Sequence, residues 1–365
     1  MICVVAAVAF LLYLLDNLRA QLQNRGIDTG FDFLDQPLGF PIPYSDLRSS
    51  QPVSDGFKVA AKNTVQAAVV GIALATALGL VVGVARLSAN WLVRKAAAVY
   101  VEVLRNIPPL LIILFVNNAV LLRLPPVGEA IEVGSLGVIS NGELAVASFV
   151  AGDGAGAWLL TLVVIGVAAG AVSWWRGRVR DRTGAPARRL VWVVLPAVVL
   201  AVVSYFLLGG PVTLSRPEVE GFQIVGGAAM NLPYVAVTLA LALYTSSHIA
   251  EIVRGSILAV PSGQTEAATA LGLGAGARLR FVVLPQAFRI AIPPTVNQYL
   301  NLTKNTSLGI AVAYAELTTF TFIAIGNGQP APQMVFITMA IYLSFSVAIS
   351  IVVNLYNRRL RFVTR

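Results

Sequence analysis

The stretch Glu266-Ala-Ala-Thr-Ala-Leu-Gly-Leu-Gly-Ala-Gly-Ala-Arg-Leu-Arg-Phe-Val-Val-Leu-Pro285 is rich in alanine and glycine and lies between two apolar runs. Thr265 can act as a helix N-cap, and Glu266 then puts negative charge in the first turn, where backbone N–H groups are free. The alanines keep one side of this helix thin, and the glycines that follow permit a sharp change of direction. Pro285 favours re-entry into an apolar helix. The stretch therefore predicts a short helix, a turn and a second helix.

The composition on both sides of this stretch is that of a polytopic membrane protein. Of the 365 residues, 57% are hydrophobic and only 12% are charged, and the mean hydropathy is +0.78. Soluble domains carry about 25% charged residues, so a soluble globular protein is excluded. The single cysteine, Cys3, rules out a disulfide within the chain and a cysteine-based metal site.

Basic residues are concentrated in short connections between the apolar runs. The strongest case is 176–189, where six arginines face one aspartate. Such connections are typical of the cytoplasmic side of a membrane protein. A nucleic-acid patch is the rival interpretation of the formal charge of +9, but a topology signal is favoured for arginines between two spans. We therefore expect no nucleic-acid partner.

The apolar runs predict an all-α fold with about eight membrane passages and both termini in the cytoplasm. The passages are residues 1–15, 65–85, 99–122, 155–175, 190–208, 232–250, 290–325 and 334–353. Run 1–15 is shorter than the roughly 20 residues that a span needs. A tilted span, a start upstream and a cleaved signal peptide therefore stay open for it. The connections 16–58, 123–154 and 209–229 are predicted to be external loops.

Two of these passages contain residues that cannot face lipid. Passage 99–122 includes two charged side chains and the pair Pro108-Pro109, and passage 290–325 begins with Pro293-Pro294 and several amide and hydroxyl side chains. Such segments must line a cavity or a helix interface, so 290–325 is predicted to be a broken helix. Gly79 and Gly83 predict the close approach of a neighbouring helix to passage 65–85.

The opening stretch resembles the cytoplasmic coupling motif of permease subunits of ABC importers. That pattern is Glu-Ala-Ala, three residues, Gly, nine residues, an aliphatic residue, one residue and Leu-Pro. The matching positions are Glu266, Ala267, Ala268, Gly272, Val282, Leu284 and Pro285, with Val282 where isoleucine is more usual. The resemblance implies that these residues dock an ATPase subunit.

Two further segments resemble signatures of permeases of the polar amino acid uptake family, most closely the general L-amino acid type. Tyr100-Val-Glu-Val-Leu-Arg-Asn-Ile-Pro-Pro-Leu110 matches one, with Asn106-Ile107 where Gly-Thr is common. Lys304-Asn-Thr-Ser-Leu308, followed by Glu316-Leu317, matches the other, with Asn305 in place of aspartate. The resemblance extends over about 56–122 and from about 232 to the C-terminus.

This resemblance implies an ABC importer permease core of five helices with additions. Residues 1–58 would form a first membrane span and an external loop, and 59–122 the first part of the core. Residues 123–231 would form external loops and an inserted helix pair with a basic cytoplasmic loop. Residues 232–365 would complete the core, with the coupling loop at 254–290.

The family also implies partners and a location. These are a second permease subunit, ATPase subunits that bind ATP and magnesium, a periplasmic amino acid-binding protein, and the lipid of a bacterial inner membrane. No Gly-x4-Gly-Lys-Ser/Thr phosphate loop occurs in the sequence, so ATP hydrolysis is expected on a partner chain. We expect a transporter subunit with no cofactor, catalytic residue or metal site of its own.

Polar residues of the two interrupted passages are the candidates for contact with a zwitterionic amino acid. They are Glu102, Arg105, Lys304, Asn305, Thr306, Ser307 and Glu316. A structural role, in which they pair with one another and hold broken helices together, is the favoured alternative. For His248, packing at a helix end is favoured over a proton relay or a ligand role.

An ion-coupled secondary amino acid transporter is the main alternative for the whole chain. It would also contain broken helices and buried charges, but it would need repeats related across the chain. No convincing pair of matching halves is found, and the coupling motif argues against this class. A membrane-embedded enzyme is disfavoured by the presence of one histidine and one cysteine.

Overall fold

The computed structural model describes residues 30–45, 47–184 and 189–360, with scattered positions between 6 and 21; the side chains of 352–354 and 356–360 are outside this description. The described chain forms two compact units. One consists of Met1–Arg123 with Asn231–Arg365, and the other of Leu124–Met230. We call them the main unit and the inserted unit.

The chain is mostly helical, as predicted. In the main unit the helices are α1 (Val53–Ala85), α2 (Trp91–Asn106), α3 (Pro109–Phe115), α6 (Leu232–Leu258), α7 (Ser262–Ala270), α8 (Ala275–Arg278), α9 (Leu284–Asn305), α10 (Leu317–Gly326) and α11 (Ala331–Leu360). The inserted unit contains α4 (Ala155–Thr183) and α5 (Leu195–Leu207). Helix α1 begins twelve residues before the predicted start of its passage at 65, so 53–58 are helix rather than external loop.

Five described helices are long and apolar enough to cross a membrane, and two bent pairs raise the number to seven. These seven correspond in sequence to the second to eighth predicted passages. The remaining predicted passage, residues 1–15, lies largely outside the described residues. The number eight therefore stays a prediction, whereas the polytopic helical class is confirmed.

A seam of small residues joins α1 to α6. The buried positions of α1 recur at nearly every fourth residue, so they form one stripe along the helix. The members of this stripe are Gly56, Ala60, Thr64, Ala68, Gly71, Ala75, Gly79 and Gly83. A Cβ atom added at Gly79 would lie 2.7 Å from Ile249 Cβ, and one at Gly83 would lie 2.8 Å from Ala250 O. Glycine therefore lets the two backbones approach closely, as the sequence predicted for this pair.

The segment before α1 folds back over the start of that helix. Leu38 N–H donates to Gln51 O at 2.8 Å, and Phe33, Phe40 and Phe57 are buried in one apolar cluster. Phe57 stacks edge-on against Phe320 of α10, with ring centroids 4.9 Å apart. This part of the predicted external loop is therefore a packed cover over α1 and α10.

Both interrupted passages are broken helices. Helices α2 and α3 meet at an angle of 105° at Ile107-Pro108. Proline has no N–H to continue a helix and disfavours helical backbone in the residue before it, which accounts for the sharp bend. Helix α9 continues into a 3₁₀ segment, Thr306–Val312, and the chain then bends by 43° into α10. The predicted break in 290–325 is confirmed, but it follows Asn305, and Pro293 and Pro294 lie inside α9.

The inserted unit contains strands that the helical expectation for this chain did not include. Strands β1 (Ile131–Val133), β2 (Gly137–Ile139), β3 (Glu143–Val146) and β8 (Ala228–Asn231) form one sheet. Strands β4 (Ser148–Ala151) and β5 (Val212–Ser215) pair antiparallel, as do β6 (Glu218–Glu220) and β7 (Gln223–Val225). The predicted external loops 123–154 and 209–229 thus contain short strands joined by turns.

Helices α4 and α5 of the inserted unit expose most of their apolar side chains. Trp158 of α4 stacks edge-on against Tyr205 of α5, with centroids 5.5 Å apart. At the other end of the pair, the guanidinium of Arg178 lies 4.0 Å from the ring centroid of Trp174. Apolar helices that end in tryptophan and arginine are typical of spans whose ends reach a membrane interface.

The α1–α6 seam yields a first prediction. Substituting Gly79→Leu forces a side chain against Ile249 and should lower the free energy of unfolding by about 1–3 kcal/mol, as overpacked cores do. Gly166→Leu on α4 is the matched control, because a Cβ there meets no atom within 4 Å. Thermal melting of the purified protein in detergent measures the effect. Equal melting temperatures for the two variants would contradict the close approach.

Candidate functional site

The predicted coupling stretch forms an elbow built from α7, a turn and α8. The prediction that Thr265 caps the helix is wrong, because α7 begins at Ser262, directly after Pro261. The fixed φ of Pro261, −57°, favours a helix start at the next residue. Thr265 instead donates its hydroxyl to Ser262 O at 2.6 Å. Glu266 therefore lies one turn further into the helix than expected.

The turn at the end of α7 depends on Gly272. This residue has φ +75°, a left-handed conformation that disfavours side chains, and it ends the helix in a Schellman motif. Leu273 N–H donates to Ala268 O at 3.1 Å, and Gly272 N–H donates to Thr269 O at 2.9 Å. The other two glycines of the stretch have ordinary φ values, so Gly272 alone makes the reversal that the sequence assigned to all three.

The elbow is attached to the ends of two long helices through a small apolar cluster. Val260, just after α6, is buried against Val283 and Ala287, and Ile257 packs on the same cluster. Ala268 of α7 is itself only 3% exposed. The thin alanine side of α7 therefore faces partly inward, toward this chain, which corrects the expectation that all its alanines point to a partner.

Helix α8 leads into α9 through a π-turn, Leu279–Val283. Leu284 N–H donates to Leu279 O, five residues earlier. Pro285 has no N–H to donate, so a regular α-helical ladder cannot continue through this point, and a wider turn replaces it. The Leu-Pro end of the motif thus sets the path from the elbow into α9. Half-buried Val282 accepts a hydrogen bond from Gln286 Nε2 at 3.0 Å.

The outer side of the elbow is polar and exposed. Glu266 and Ala267 are exposed, and a shallow cavity of about 540 Å³ is lined by Thr265, Glu266, Thr269, Ala270 and Arg278. Arg278 Nη1 donates to Thr269 Oγ1 at 2.8 Å, which ties α8 to α7. Within the described residues, the Glu266 carboxylate has no hydrogen-bond partner. The elbow therefore presents an unpaired Glu266 carboxylate near Arg278, whose guanidinium is held by Thr269.

The candidate substrate residues do not form one group. Glu102 and Arg105 of α2 line a second cavity of about 420 Å³, together with Arg86, Val101, Asn106, His248 and Glu251. Lys304 is exposed, whereas Thr306 and Glu316 are fully buried. Asn305 and Ser307 are half-buried, and Ser307 Oγ donates to Lys304 O at 2.8 Å. The Lys-Asn-Thr-Ser segment thus makes local hydrogen bonds, at the point where α9 becomes 3₁₀.

Sequence reasoning missed an ion-pair network that joins α1 to α6. The Glu251 carboxylate pairs with Arg86, at the end of α1, and accepts from Arg254 Nη2 at 2.6 Å. Arg105 lies within electrostatic range of both Glu251 and His248. His248 packs edge-on against Tyr244, with centroids 4.8 Å apart, in line with the expected packing role. In the sequence, Arg86 follows one passage and Glu251 and Arg254 follow another, and no local pattern pairs them.

Glu316 has a structural environment. Its side chain caps α10 by accepting from Thr319 N–H at 2.8 Å, and its second carboxylate oxygen accepts from Tyr342 OH. Asn63 of α1 donates to Ala315 O at 2.8 Å, beside the cap. Ala313 has φ +58°, unusual for a residue with a side chain. The buried glutamate therefore stabilises the break between α9 and α10, the favoured alternative to substrate contact.

Comparison with known proteins identifies the class of this helical membrane protein. The family model described as "Binding-protein-dependent transport system inner membrane component" matches residues 162–362. YhdX of Escherichia coli (strain K12), named for an amino-acid ABC transporter permease, is 38% identical over 100% of this chain and 93% of its own length.

A second relative is the general L-amino acid transport system permease protein AapQ of Rhizobium johnstonii (strain DSM 114642 / LMG 32736 / 3841). It is 37% identical over 99% of this chain and 91% of its own length. A crystal structure described as an amino acid ABC transporter with histidines matches with a TM-score of 0.51 at 18% identity, covering 84% of this chain and 94% of that chain. That match supports the fold alone.

The chain belongs to the binding-protein-dependent transport system inner membrane component family. It is a permease subunit of an amino acid ABC importer and a multi-pass membrane protein. Its relatives are transport subunits rather than enzymes, so the activity of this chain is transport and not catalysis.

The Glu316 cap yields a second prediction. Glu316→Ala and Tyr342→Phe should each lower the melting temperature, because each removes one partner of the hydrogen bond between the two side chains. The double variant should lose less stability than the sum of the losses of the two single variants, with a coupling energy of about 0.5–3 kcal/mol. Thermal melting of the four proteins in detergent measures it. Strictly additive losses would contradict the contact between the two side chains. Uptake lost at unchanged stability would point instead to a direct role of Glu316 in transport.

Proposed function

We propose that this permease translocates L-amino acids inward across the bacterial cytoplasmic membrane, driven by separate ATPase subunits that dock at the elbow Ser262–Pro285. The observation that carries the proposal is the elbow itself. It combines an exposed polar surface at Glu266 and Ala267 with a buried anchor at Val260, Val283 and Ala287. A surface loop without a partner has no need of both features.

The residues of the elbow fall into two groups: those that would contact the ATPase and those that maintain the shape of the elbow. Glu266 and Ala267 would touch the ATPase, the carboxylate accepting from a partner donor beside Arg278. Ala268 is buried and would hold α7 against its own chain. Gly272 sets the reversal, while Val282, Leu284 and Pro285 direct the chain into α9. Motion of the docked ATPase would then be passed to α6 and α9 through short connections.

Hydrogen bonds join the two arms of the elbow, so that it can act as a rigid lever. Arg278 ties α8 to α7, and Gln286 Nε2 lies 3.4 Å from Gln264 Oε1 across the two arms. A push on α7 is therefore expected to move the arms together rather than unfold them. Closure of the ATPases on ATP and magnesium would tilt α6 and α9 between outward-open and inward-open arrangements.

The complete transporter would contain four kinds of component. This chain would pair with a second permease subunit, two ATPase subunits would lie on the cytoplasmic side, and a periplasmic amino acid-binding protein would deliver substrate. The basic connections support cytoplasmic termini and a cytoplasmic elbow. The apolar surface of α4 and α5 would contact membrane lipid. In this arrangement 1–58 and 123–231 are additions to a core formed by 59–122 and 232–365.

Of the seven candidate substrate residues, Glu102 and Arg105 are the two that we assign to the substrate pathway. Both are exposed, line one cavity and have no ion-pair partner within the described residues. A zwitterion offers an ammonium and a carboxylate that such a pair could bind. Thr306 and Glu316 are buried in local hydrogen bonds, and their expected effect on transport is through stability.

Uptake of labelled amino acids into proteoliposomes tests the proposed function. The vesicles hold this chain with its permease partner, with and without the ATPase subunits, the binding protein and ATP. Uptake should require all of these components. Uptake driven by an ion gradient without the ATPase would instead identify a secondary transporter and overturn the proposal.

A glycine substitution gives the third prediction. Gly272→Val should reduce ATP-driven uptake by about ten-fold while ATP hydrolysis continues, because a left-handed conformation costs a residue with a side chain about 1–2 kcal/mol. Gly39→Val is the matched control. Gly39 is exposed, has φ +76° and has no atom within 4 Å of an added Cβ, but it lies before α1 and outside the elbow. Equal uptake in the two variants would contradict the coupling role of the elbow.

A further inference from the structure

Helix α2 has three different faces along its length. One face packs inside the main unit and consists of buried Ala97 and Val101 with half-buried Leu104. A second face is apolar and exposed, and we call it the exposed apolar stripe: Leu92, Ala96, Val99 and Val103. The third is exposed and polar: Lys95, Glu102 and Asn106. Each set recurs at helical spacing. Such a helix can contact protein on one side, an apolar medium on the second and water on the third.

Both ends of α2 lie near the end of α1. Only five residues connect Ala85, the last residue of α1, to Trp91. At the other end of α2, three of its residues line one cavity with residues that follow α1 and belong to α6: Glu102, Arg105 and Asn106 with Arg86 and Glu251. Since α2 has 16 residues, it is about 24 Å long. A helix of this length that returned alongside α1 would end far from Arg86. Helix α2 therefore runs across the end of α1.

Tyr100 shows how α2 is rotated about its own axis. This residue lies between the buried face and the exposed apolar stripe, and its OH is 2.7 Å from Ser246 Oγ of α6. Ser246 precedes Glu251 by five residues, which places it about 8 Å further from the end of α6. Glu251 pairs with Arg86, so the ends of α1 and α6 are at a similar level. The exposed apolar stripe therefore faces the interior of the membrane, and the polar face points away from it.

The bend after α2 is consistent with this orientation. Helices α2 and α3 meet at 105°, so a chain that runs along the membrane surface in α2 can enter the membrane in α3. Glu102 and Arg105 are exposed and have no ion-pair partner within the described residues. Such charges are costly in the hydrocarbon core, whereas at the membrane surface water hydrates them. The membrane passage predicted for 99–122 would then begin at Pro108.

The start of α2 is basic. Between 86 and 101 the sequence contains three basic residues and no acidic residue. One of them, Arg86, has an ion-pair partner, whereas Arg94 and Lys95 are exposed and have none in the part of the chain that the structure describes. Trp91, at the first position of the helix, is also exposed. Basic residues beside a tryptophan at the edge of an apolar stripe suit the anionic headgroups of a membrane interface.

We propose that α2 lies in the cytoplasmic interface of the membrane, with the exposed apolar stripe among the lipid chains and with Arg94 and Lys95 bound to anionic headgroups. Charge favours anionic lipid over a second permease subunit as the occupant, because an apolar contact between proteins does not require two unpaired basic residues at its edge. Bound lipid would hold one wall of the cavity that contains Glu102 and Arg105. The inference rests on the proposed function at one point, the cytoplasmic location of the end of α1.

Depth measurements on paired positions test the orientation of α2. In a Cys3→Ser background, spin labels are attached after Leu92→Cys or Val99→Cys in the exposed apolar stripe. Leu74→Cys and Val81→Cys on α1 are the matched control. All four positions are exposed, and each pair is separated by seven residues, about 10 Å along a helix. Power saturation with oxygen and with a water-soluble nickel complex measures the depth of each label, in the full transporter in nanodiscs.

The two labels on α2 should lie at nearly the same depth, whereas the two labels on α1 should differ in depth by about 10 Å. A difference of about 10 Å on α2 as well would overturn the proposal, because α2 would then cross the membrane. Exclusion of oxygen from both labels on α2 would also overturn it, and would identify a stripe that a protein subunit covers.

A membrane-impermeant maleimide distinguishes failure of this inference from failure of the proposed function. Ala267→Cys, at an exposed position of the elbow, should react only from the cytoplasmic side of closed vesicles that lack the ATPase subunits. Reaction from that side, together with a depth difference of about 10 Å on α2, would overturn the placement of α2 alone. Reaction from the opposite side would overturn the cytoplasmic elbow and both proposals with it.

Photoactivatable lipids test the charge of the bound headgroups. Arg94→Gln/Lys95→Gln should reduce crosslinks from phosphatidylglycerol to residues 91–103 about five-fold or more, the effect of one basic residue near an anionic surface. Crosslinks from phosphatidylcholine should stay unchanged, and Arg94→Lys/Lys95→Arg should retain those from phosphatidylglycerol. Mass spectrometry locates the crosslinks. Lys58→Gln/Lys62→Gln is the matched control, because it removes two exposed basic residues near the other end of α1. Equal loss in both glutamine variants, or no loss in either, would overturn the binding of anionic lipid.

Discussion

The close approach of α1 and α6 is the constraint on which the rest of the main unit depends. Helices in a membrane gain little from the hydrophobic effect when they associate, so van der Waals packing must hold them together. Small residues at nearly every fourth position of α1 allow this packing, with Gly79 and Gly83 against α6 and Gly56 against Phe320 of α10. Other elements then attach to the pair: Tyr100 of α2 bonds to Ser246, Thr76 of α1 bonds to Tyr299 of α9, and Glu251 links the two helix ends through Arg86.

The elbow uses this seam as its support. It is polar and exposed, and only the Val260 cluster and Ala268 tie it to the apolar interior. Its shape comes from backbone chemistry: a proline starts α7, a left-handed glycine ends it, and a second proline forces a π-turn before α9. A stiff connection between two packed helices can transmit a displacement, whereas a flexible loop would absorb it.

The inserted unit adds different chemistry to the same chain. Its two helices are apolar and mostly exposed, and its strands are short, with Val138 and Ala145 buried in the sheet. Strand pairing inside the predicted external loops was not foreseen, because segments of three or four residues carry too little alternation to distinguish them from irregular loop. The turns themselves were visible in the sequence as glycines, several of which have positive φ here.

The sequence by itself determined the class of protein, the approximate passages and the coupling motif, because hydropathy, charge asymmetry and spaced motifs are local properties. It also predicted that passage 290–325 is broken, although Pro293 and Pro294 lie inside α9 and the break follows Asn305. Tertiary structure alone decided which polar residues share a site. Glu102 and Arg105 share a cavity with Arg86 and Glu251 only because α2 packs against α6, and the Glu316 carboxylate is bonded to Tyr342 only because α11 lies beside the start of α10. Such contacts join residues far apart in the chain, and no local pattern specifies the bend angles and helix packing that bring them together.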